Sequence, residues 1–295
     1  MSGSLRLVVV VPFLDEADHL PVFLASIEAQ QRPPDELLLI DDGSTDGSGE
    51  RAARFAAAHR YARVEHRRAR HRERDRLADA QAFRAFLWGL ERAQTPWDVA
   101  AKVDADVRLS ASLFSEVERR FLADPWLGMT GAYLSEVGPD GSLRRQRCPA
   151  EHVAGATKFY RRACFEQISP VPAILGWDTI DETRARMDGW RTQAIELPTG
   201  DPVHMRRMGS HDGLVRGYRR AGRAAYAYGT DPMYLLVAAA ARFRDRPVVA
   251  CGAAYLAGYC AAAVGRAPRA EQDARACQRR YQRARLFAHL RGLAA

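Results

Sequence analysis

Leu37-Leu38-Leu39-Ile40 runs directly into Asp41-Asp42-Gly43-Ser44-Thr45-Asp46, and Val99-Ala100-Ala101-Lys102-Val103 runs into Asp104-Ala105-Asp106. A short apolar run bounded by turn residues reads as a strand of a buried parallel sheet. Ligands of open α/β sheets bind outside the carboxyl ends of the strands, so both acidic clusters would face one crevice. Carboxylates that close repel one another and call for a cation or a ligand rich in donors. An Asp-x-Asp at a strand end suits Mg2+ or Mn2+ carrying a diphosphate. Hard cations take carboxylate oxygen and keep coordination positions for phosphate.

Outward from these clusters the chain alternates. A strand at 7–11 ends at Pro12, and a helix covers 18–30. After the 37–40 strand comes a helix at 46–59, with Ser44 or Thr45 available to cap it. A helix at 79–93 puts Ala82, Phe83, Phe86, Leu87 and Leu90 on one face, and strand 99–103 delivers the Asp-Ala-Asp. This alternation predicts a doubly wound parallel sheet. The second half reads as helix 112–123, strand 128–134, a Gly-Pro-Asp-Gly turn at 138–141, helix 179–188 and strand 192–197. A polar loop with His204 and His211 follows. From Asp231 the composition shifts to alanine-dominated helices at 232–243 and 248–264 and an arginine-rich closing helix. The expected division is a main body at 1–230 and a helical appendage at 231–295.

With 295 residues, 47% apolar and 27% charged, the composition is that of an ordinary globular protein. The formal charge of +8 is unevenly placed. Residues 60–76 hold eight arginines against three acids, and residues 266–295 hold eight against two, which leaves the remainder near −3. An acidic, cation-binding body with two basic attachments fits this distribution. Lys102 and Lys158 are the only lysines. Five cysteines without a Cys-x-x-Cys pair argue against a disulfide framework and for a reducing cytoplasm. The first residues run straight into a strand with no signal-peptide core, so a cytoplasmic location is expected.

Four motifs stand in order: Val8-Val-Val-Val-Pro-Phe-Leu-Asp-Glu16, Leu39-Ile-Asp-Asp-Gly-Ser-Thr-Asp46, Val103-Asp-Ala-Asp-Val107, and Gly176-Trp-Asp-Thr-Ile-Asp-Glu182 ahead of Gly189-Trp190. Over roughly residues 5–230 the chain resembles the bacterial family-2 glycosyltransferases of GT-A fold. That resemblance implies an α/β fold, a Rossmann-like doubly wound mixed sheet forming a catalytic domain at 1–230. It implies an inverting, metal-dependent transfer of sugar from a UDP-, GDP- or dTDP-linked donor to a glycan or lipid-linked acceptor. It also implies roles. Pro12, Asp15, Glu16 and Asp42 would hold base and ribose, since a carboxylate accepts from an imide N–H and from hydroxyls. Asp104 would face the ribose or metal-bound water, and Asp106 would ligate Mn2+ or Mg2+. A turn-capping role is the alternative for Asp41 and Asp42.

The reaction needs a base for the acceptor hydroxyl and positive charge for the leaving diphosphate. In related enzymes the base lies eleven residues before the Gly of a later Gly-Trp, which lands on Asp178. Trp177 stands where an acidic neighbour is usual, so Asp181 and Glu182 remain candidates. The Gln-x-x-Arg-Trp motif of processive members is absent, which favours addition of a single sugar. In the corresponding stretch, His204 is expected as a third metal ligand or diphosphate partner, with Arg206 or Arg207 on phosphate. Arg74 and Arg76 are expected to reach the diphosphate or to lie in a solvated loop. No aromatic residue interleaves with the arginines at 66–76, which argues against nucleic acid as a partner.

The appendage admits two readings. Residues 248–264 carry no charge, are too rich in Ala and Gly to span confidently, and are bracketed by arginines. That suits a helix lying on an anionic membrane surface, peripheral on the inner face. It also suits a helical pair packed on the main body or on a second copy in a homodimer. A rival to the enzyme is a catalytically silent GT-A-like subunit that binds nucleotide or scaffolds a membrane glycan-assembly complex. Retention of Asp104, Asp106 and the acids at 178–182 favours the enzyme. A sugar-nucleotide pyrophosphorylase would need a glycine-rich loop after the first strand, and Pro12-Phe-Leu-Asp-Glu16 has no glycine.

Overall fold

Leu7–Phe13 forms β1, buried along its whole length, as a strand covered on both sheet faces must be. The computed structural model describes residues 3–67, 80–138, 141–206, 213–243 and 249–292. After β1 come α1 (Leu20–Glu28), β2 (Glu36–Asp41), α2 (Ser48–Ala58), β3 (Ala62–His66), α3 (Gln81–Leu90) and β4 (Val99–Val103). The chain continues through β5 (Val107–Arg108), α4 (Leu113–Ala123), β6 (Leu127–Ala132), β7 (Ser135–Val137), β8 (Leu143–Arg145), β9 (Thr157–Arg161) and α5 (Arg162–Ile168). Next are α6 (Trp177–Met187), β10 (Arg191–Ile195) and β11 (Val203–His204). Four helices close it: α7 (Leu214–Ala227), α8 (Pro232–Arg242), α9 (Ala250–Val264) and α10 (Gln272–Leu290).

By its contacts the chain divides into two compact units. Of the described residues, the first unit takes in those up to 67, those of 81–170 and those of 188–206; the second takes in Ala80, 171–187 and those of 213–292. The first unit is built on a seven-stranded sheet of order β10-β6-β9-β4-β1-β2-β3. Its pairings are parallel except those of β9, which runs antiparallel to both β4 and β6. The sheet is therefore mixed, as the resemblance implies, and not the all-parallel sheet that alternation alone predicts. One face, with Val9, Val11, Leu37, Leu39 and Val103, packs on Phe23, Ile27, Phe114 and Phe121. Each fully buried Val or Leu here contributes roughly 1.5–3 kcal/mol.

A four-stranded sheet of order β5-β11-β7-β8 belongs to the same unit. It positions the site. β5 follows Asp104-Ala105-Asp106 at once and pairs antiparallel with β11, setting His204 opposite Val107.

Two local expectations are corrected. β1 does not end at Pro12 but runs on to Phe13, pairing Pro12 with Ile40. Leu7 and Phe13 direct their carbonyls to the β2 side, accepting from Asp35 and Asp42 N–H. Pro12 therefore faces β4, whose pairing with β1 stops at Val10, so its missing N–H costs no ladder bond. Ser44 and Thr45 do not cap α2. Ser44 Oγ accepts from Asp15 N–H at 3.1 Å, and Thr45 N–H donates to Asp15 Oδ1 at 2.8 Å. Asp46 instead accepts the Ser48 N–H at 3.0 Å.

The second unit is helical. α7 and α9 touch backbone to backbone. A Cβ on Gly222 would lie 1.9 Å from the Tyr255 carbonyl oxygen, and one on Gly258 2.0 Å from that of Arg219. Only glycine fits at either position. Asp231 caps α8 by accepting from Met233 N–H at 3.0 Å, with Pro232 in the first turn. α6 is tied to α10 by Thr183 Oγ1 donating to Gln278 Oε1 at 3.0 Å and by Arg184 with Glu271 at 2.5 Å. Among the described residues no helix is long and apolar enough to cross a membrane. All five cysteines are free.

Candidate active site

Strand order reverses between β1 and β4, since β2 and β3 continue on one side and β9 lies on the other. This topological switch point is where open α/β sheets bind ligands. The segment after β1 and the Asp-Ala-Asp after β4 both leave the sheet here.

The structure brings Asp104, Asp106 and His204 together. One ligand atom from each lies within 4.8 Å of the others. Oδ1 of Asp106 is 3.6 Å from His204 Nε2. Met205 N–H donates to the Asp106 carbonyl at 2.9 Å, extending the β5–β11 pairing past the site. Nδ1 of His204 contacts the Arg206 carbonyl oxygen, which can only accept. A proton therefore sits on Nδ1, which leaves Nε2, facing Asp106, as the ring nitrogen that could ligate a metal. Ligands on Mg2+ sit at about 2.1 Å from the ion, so they span up to roughly 4.2 Å across it. Neighbouring ligands around such an ion are only about 3 Å apart, so the three side chains would draw together on binding it. Two carboxylates and an imidazole are a donor set that suits Mn2+ or Mg2+.

Electrostatics at the trio agree with that fit. Burial pushes the Glu16 carboxyl up to about 7, opposed by Arg206 and reinforced by the charges of Asp106 and Asp104. Three carboxylates thus compete for one small volume. Arg206 bonds Glu16 and lies 3.1 Å from His19 Nδ1, while His19 Nδ1 is 3.2 Å from Glu16 Oε2. Burial, then the Arg206 charge, holds His19 below its usual range. Arg206, expected on phosphate, is engaged with Glu16 and His19.

Lys102 went unread in the sequence. It is buried in β4 and places its ammonium on the Asp104 carboxylate. Directly across the antiparallel ladder stands Lys158, also fully buried. Residues opposite each other in such a pair share a sheet face. A usable signal was present: the only two lysines of the chain both interrupt buried strands, one of them two residues before Asp-x-Asp.

The remaining expected positions sort by local role. Pro12 is inside β1. Asp15 bridges to the β2 loop through Thr45. Asp41 caps the turn, accepting from Gly43 and Ser44 N–H at 3.1 and 2.8 Å. Asp42, buried at the end of β2, accepts from Arg67 Nη1 at 3.1 Å. Arg67 was also unread. Arg74, Arg76 and Arg207 lie outside the described residues. In the second unit, Asp178, Asp181 and Glu182 all sit on α6. Asp178 is partly exposed in the first turn, and its charge helps raise the buried Tyr228 hydroxyl after desolvation. Asp181 and Glu182 are buried, with Asp181 accepting the Glu182 N–H at 2.6 Å and Glu182 lying 3.7 Å from Arg186.

The family model of glycosyl transferase family 2 matches residues 8–167, more than half of the chain. The chain belongs to glycosyl transferase family 2. An undecaprenyl-phosphate mannosyltransferase from Micrococcus luteus is 33% identical over 102 residues. That match covers 35% of this family-2 chain and 38% of the relative, so it spans well under half of either. A mannosyltransferase from Pyrobaculum calidifontis, solved with GDP-Man and Mn2+, aligns over 99% of this chain and 81% of its own. Its TM-score is 0.56 and its identity 19%. TarS from S. aureus in complex with UDP aligns over 88% of this chain and 72% of its own, with TM-score 0.53 and 13% identity. At those identities the likeness is one of fold, the mixed-sheet GT-A architecture.

Proposed function

We propose that this family-2 protein is an inverting, divalent-metal-dependent glycosyltransferase that moves one sugar from a nucleoside-diphosphate donor to a lipid-linked or glycan acceptor. The observation that carries the reading is the convergence of Asp104, Asp106 and His204 at the switch point, beside Glu16 and Arg206. Mn2+ or Mg2+ on the trio would supply positive charge to the departing diphosphate. Asp15, Glu16 and Asp42 accept from the base and ribose, and Lys102 orients Asp104. Arg206 exchanges Glu16 for a phosphate oxygen, with Arg74, Arg76 and Arg207 as further phosphate partners. Asp178, the accessible carboxylate of α6, takes the acceptor proton; Asp181 and Glu182 are the alternatives. The acceptor oxygen bonds to the anomeric carbon, the bond from that carbon to the diphosphate breaks, and the nucleoside diphosphate leaves. One base and one displacement invert the anomeric centre.

The mannosyltransferase relatives make GDP-mannose the first donor to test, and the undecaprenyl-phosphate relative makes a polyprenyl phosphate the first acceptor. The absence of the processive Gln-x-x-Arg-Trp supports a single addition. The test is a panel of GDP-, UDP- and dTDP-sugars with Mn2+ and a polyprenyl phosphate or a glycan, scored by nucleoside-diphosphate release. Release with one donor class, lost in Asp106→Ala, is the expected result. No release from any donor with either acceptor class contradicts it.

A further inference from the structure

α8 and α9 are apolar on two opposite faces, which a helix bordering water on one side does not need. α8 buries Leu235 and Ala239 in the helical core and α9 buries Cys251, Tyr255, Gly258 and Ala262. The outward stripes are equally free of charge. On α8, Met233, Leu236 and Val237 are 44%, 63% and 48% exposed. On α9, Ala253, Ala257, Cys260, Ala261 and Val264 are exposed, Val264 at 86%. The two helices pack against each other, Gly252 of α9 lying close to the Ala239 carbonyl of α8.

Arginine is concentrated in the segment that carries these stripes. The described residues 213–292 hold thirteen arginines against three acids, a net of +10 in a chain whose total is +8. The rest of the chain is therefore net −2. Arg219 is exposed where its backbone meets α9 at Gly258, Arg216 is exposed one turn before it, and Arg266 is exposed just past the end of α9. A second copy covering this face would bring two strongly positive surfaces together. An anionic lipid surface complements both the charge and the apolar stripes.

We propose that the exposed face of the α8–α9 pair lies in the interfacial plane of an anionic phospholipid bilayer, with the flanking arginines on the headgroups. The helices lie in the plane and do not cross, in keeping with their weak hydropathy. Vesicle binding needs no donor, so this inference stands or falls separately from sugar transfer.

The experiment is flotation of the full chain with vesicles of phosphatidylcholine alone or mixed with phosphatidylglycerol, at low and high salt. The variants are Leu236→Glu, Val264→Glu and the pair Arg216→Ala with Arg219→Ala. All sit at exposed positions, and an unchanged Tm verifies their folding. Wild type is expected to float with the anionic vesicles and less so in high salt. Either glutamate should lower partitioning about tenfold or more, and the arginine pair should flatten the salt dependence. Absent binding, binding indifferent to phosphatidylglycerol, or glutamate variants that float like wild type would each overturn the proposal. So would a stable dimer in solution that Leu236→Glu splits, which would make the face a contact between two copies.

Discussion

Lys102 places its ammonium on the Asp104 carboxylate and stands opposite Lys158 across the β4–β9 ladder. A charge-assisted bond to a buried lysine contributes about 1.5–3 kcal/mol, and losing one partner strands the other. Lys102→Met should therefore destabilise the fold by about that amount. Adding Asp104→Asn should restore part of the loss, because the unpaired carboxylate is then gone. Urea unfolding of the two single variants and the double variant measures the coupling. Strict additivity would mean that the two groups do not act as a pair.

That pairing was legible only as an anomaly, a charged residue inside an apolar run, while the strands around it were plain. β1, β2 and β4 announce themselves because both sheet faces are covered and their sequences are almost wholly apolar. β9 is harder: Thr157-Lys158-Phe159-Tyr160-Arg161 mixes charge with aromatics, and its antiparallel insertion between β4 and β6 is set by tertiary packing. β5 and β11 are two residues each, below any periodic signal. Yet their pairing is what carries His204 to Asp106. The Asp-x-Asp was thus readable from spacing, and its histidine only as a possibility from a family pattern. Ser44 and Thr45 misled because cap residues are equally good at stitching two loops together.

Asp178→Asn should retain donor binding and lose transfer, since the change removes a base and keeps the shape. Turnover should fall about 10²–10⁴-fold with donor affinity within a fewfold of wild type. The comparison is Asp181→Asn, whose carboxylate is buried and accepts the Glu182 N–H, and which should act mainly on stability. An active Asp178→Asn beside a folded but inactive Asp181→Asn would shift the role three residues along α6.

Acid sensitivity should run through Glu36, at the start of β2. Burial alone would raise its carboxyl, but the Thr95 N–H, the Arg63 guanidinium and the Gln94 N–H together hold it below the usual range. A depressed native pKa means that the unfolded chain binds the proton more readily. This contribution is therefore complete above the unfolded carboxylate value of about 4.3 and is lost as pH falls through the native one. Glu36→Gln should cost about 2 kcal/mol at neutral pH. The gap between variant and wild type in urea midpoint should narrow in acid. A gap that does not change with pH would exclude Glu36 from the acid limb.

In the proposed reaction Asp104, Asp106 and His204 would hold one divalent cation, which would supply positive charge to the donor diphosphate. Titration of the chelator-treated full chain with Mn2+, with and without GDP, following free Mn2+ by electron paramagnetic resonance, measures that binding. Wild type should bind one ion, more tightly with GDP present. Binding should fall about tenfold or more in His204→Ala and be lost in Asp106→Ala, with Tm unchanged in both. Wild-type affinity in both variants, or no Mn2+ bound by the wild-type chain with GDP present, would contradict it.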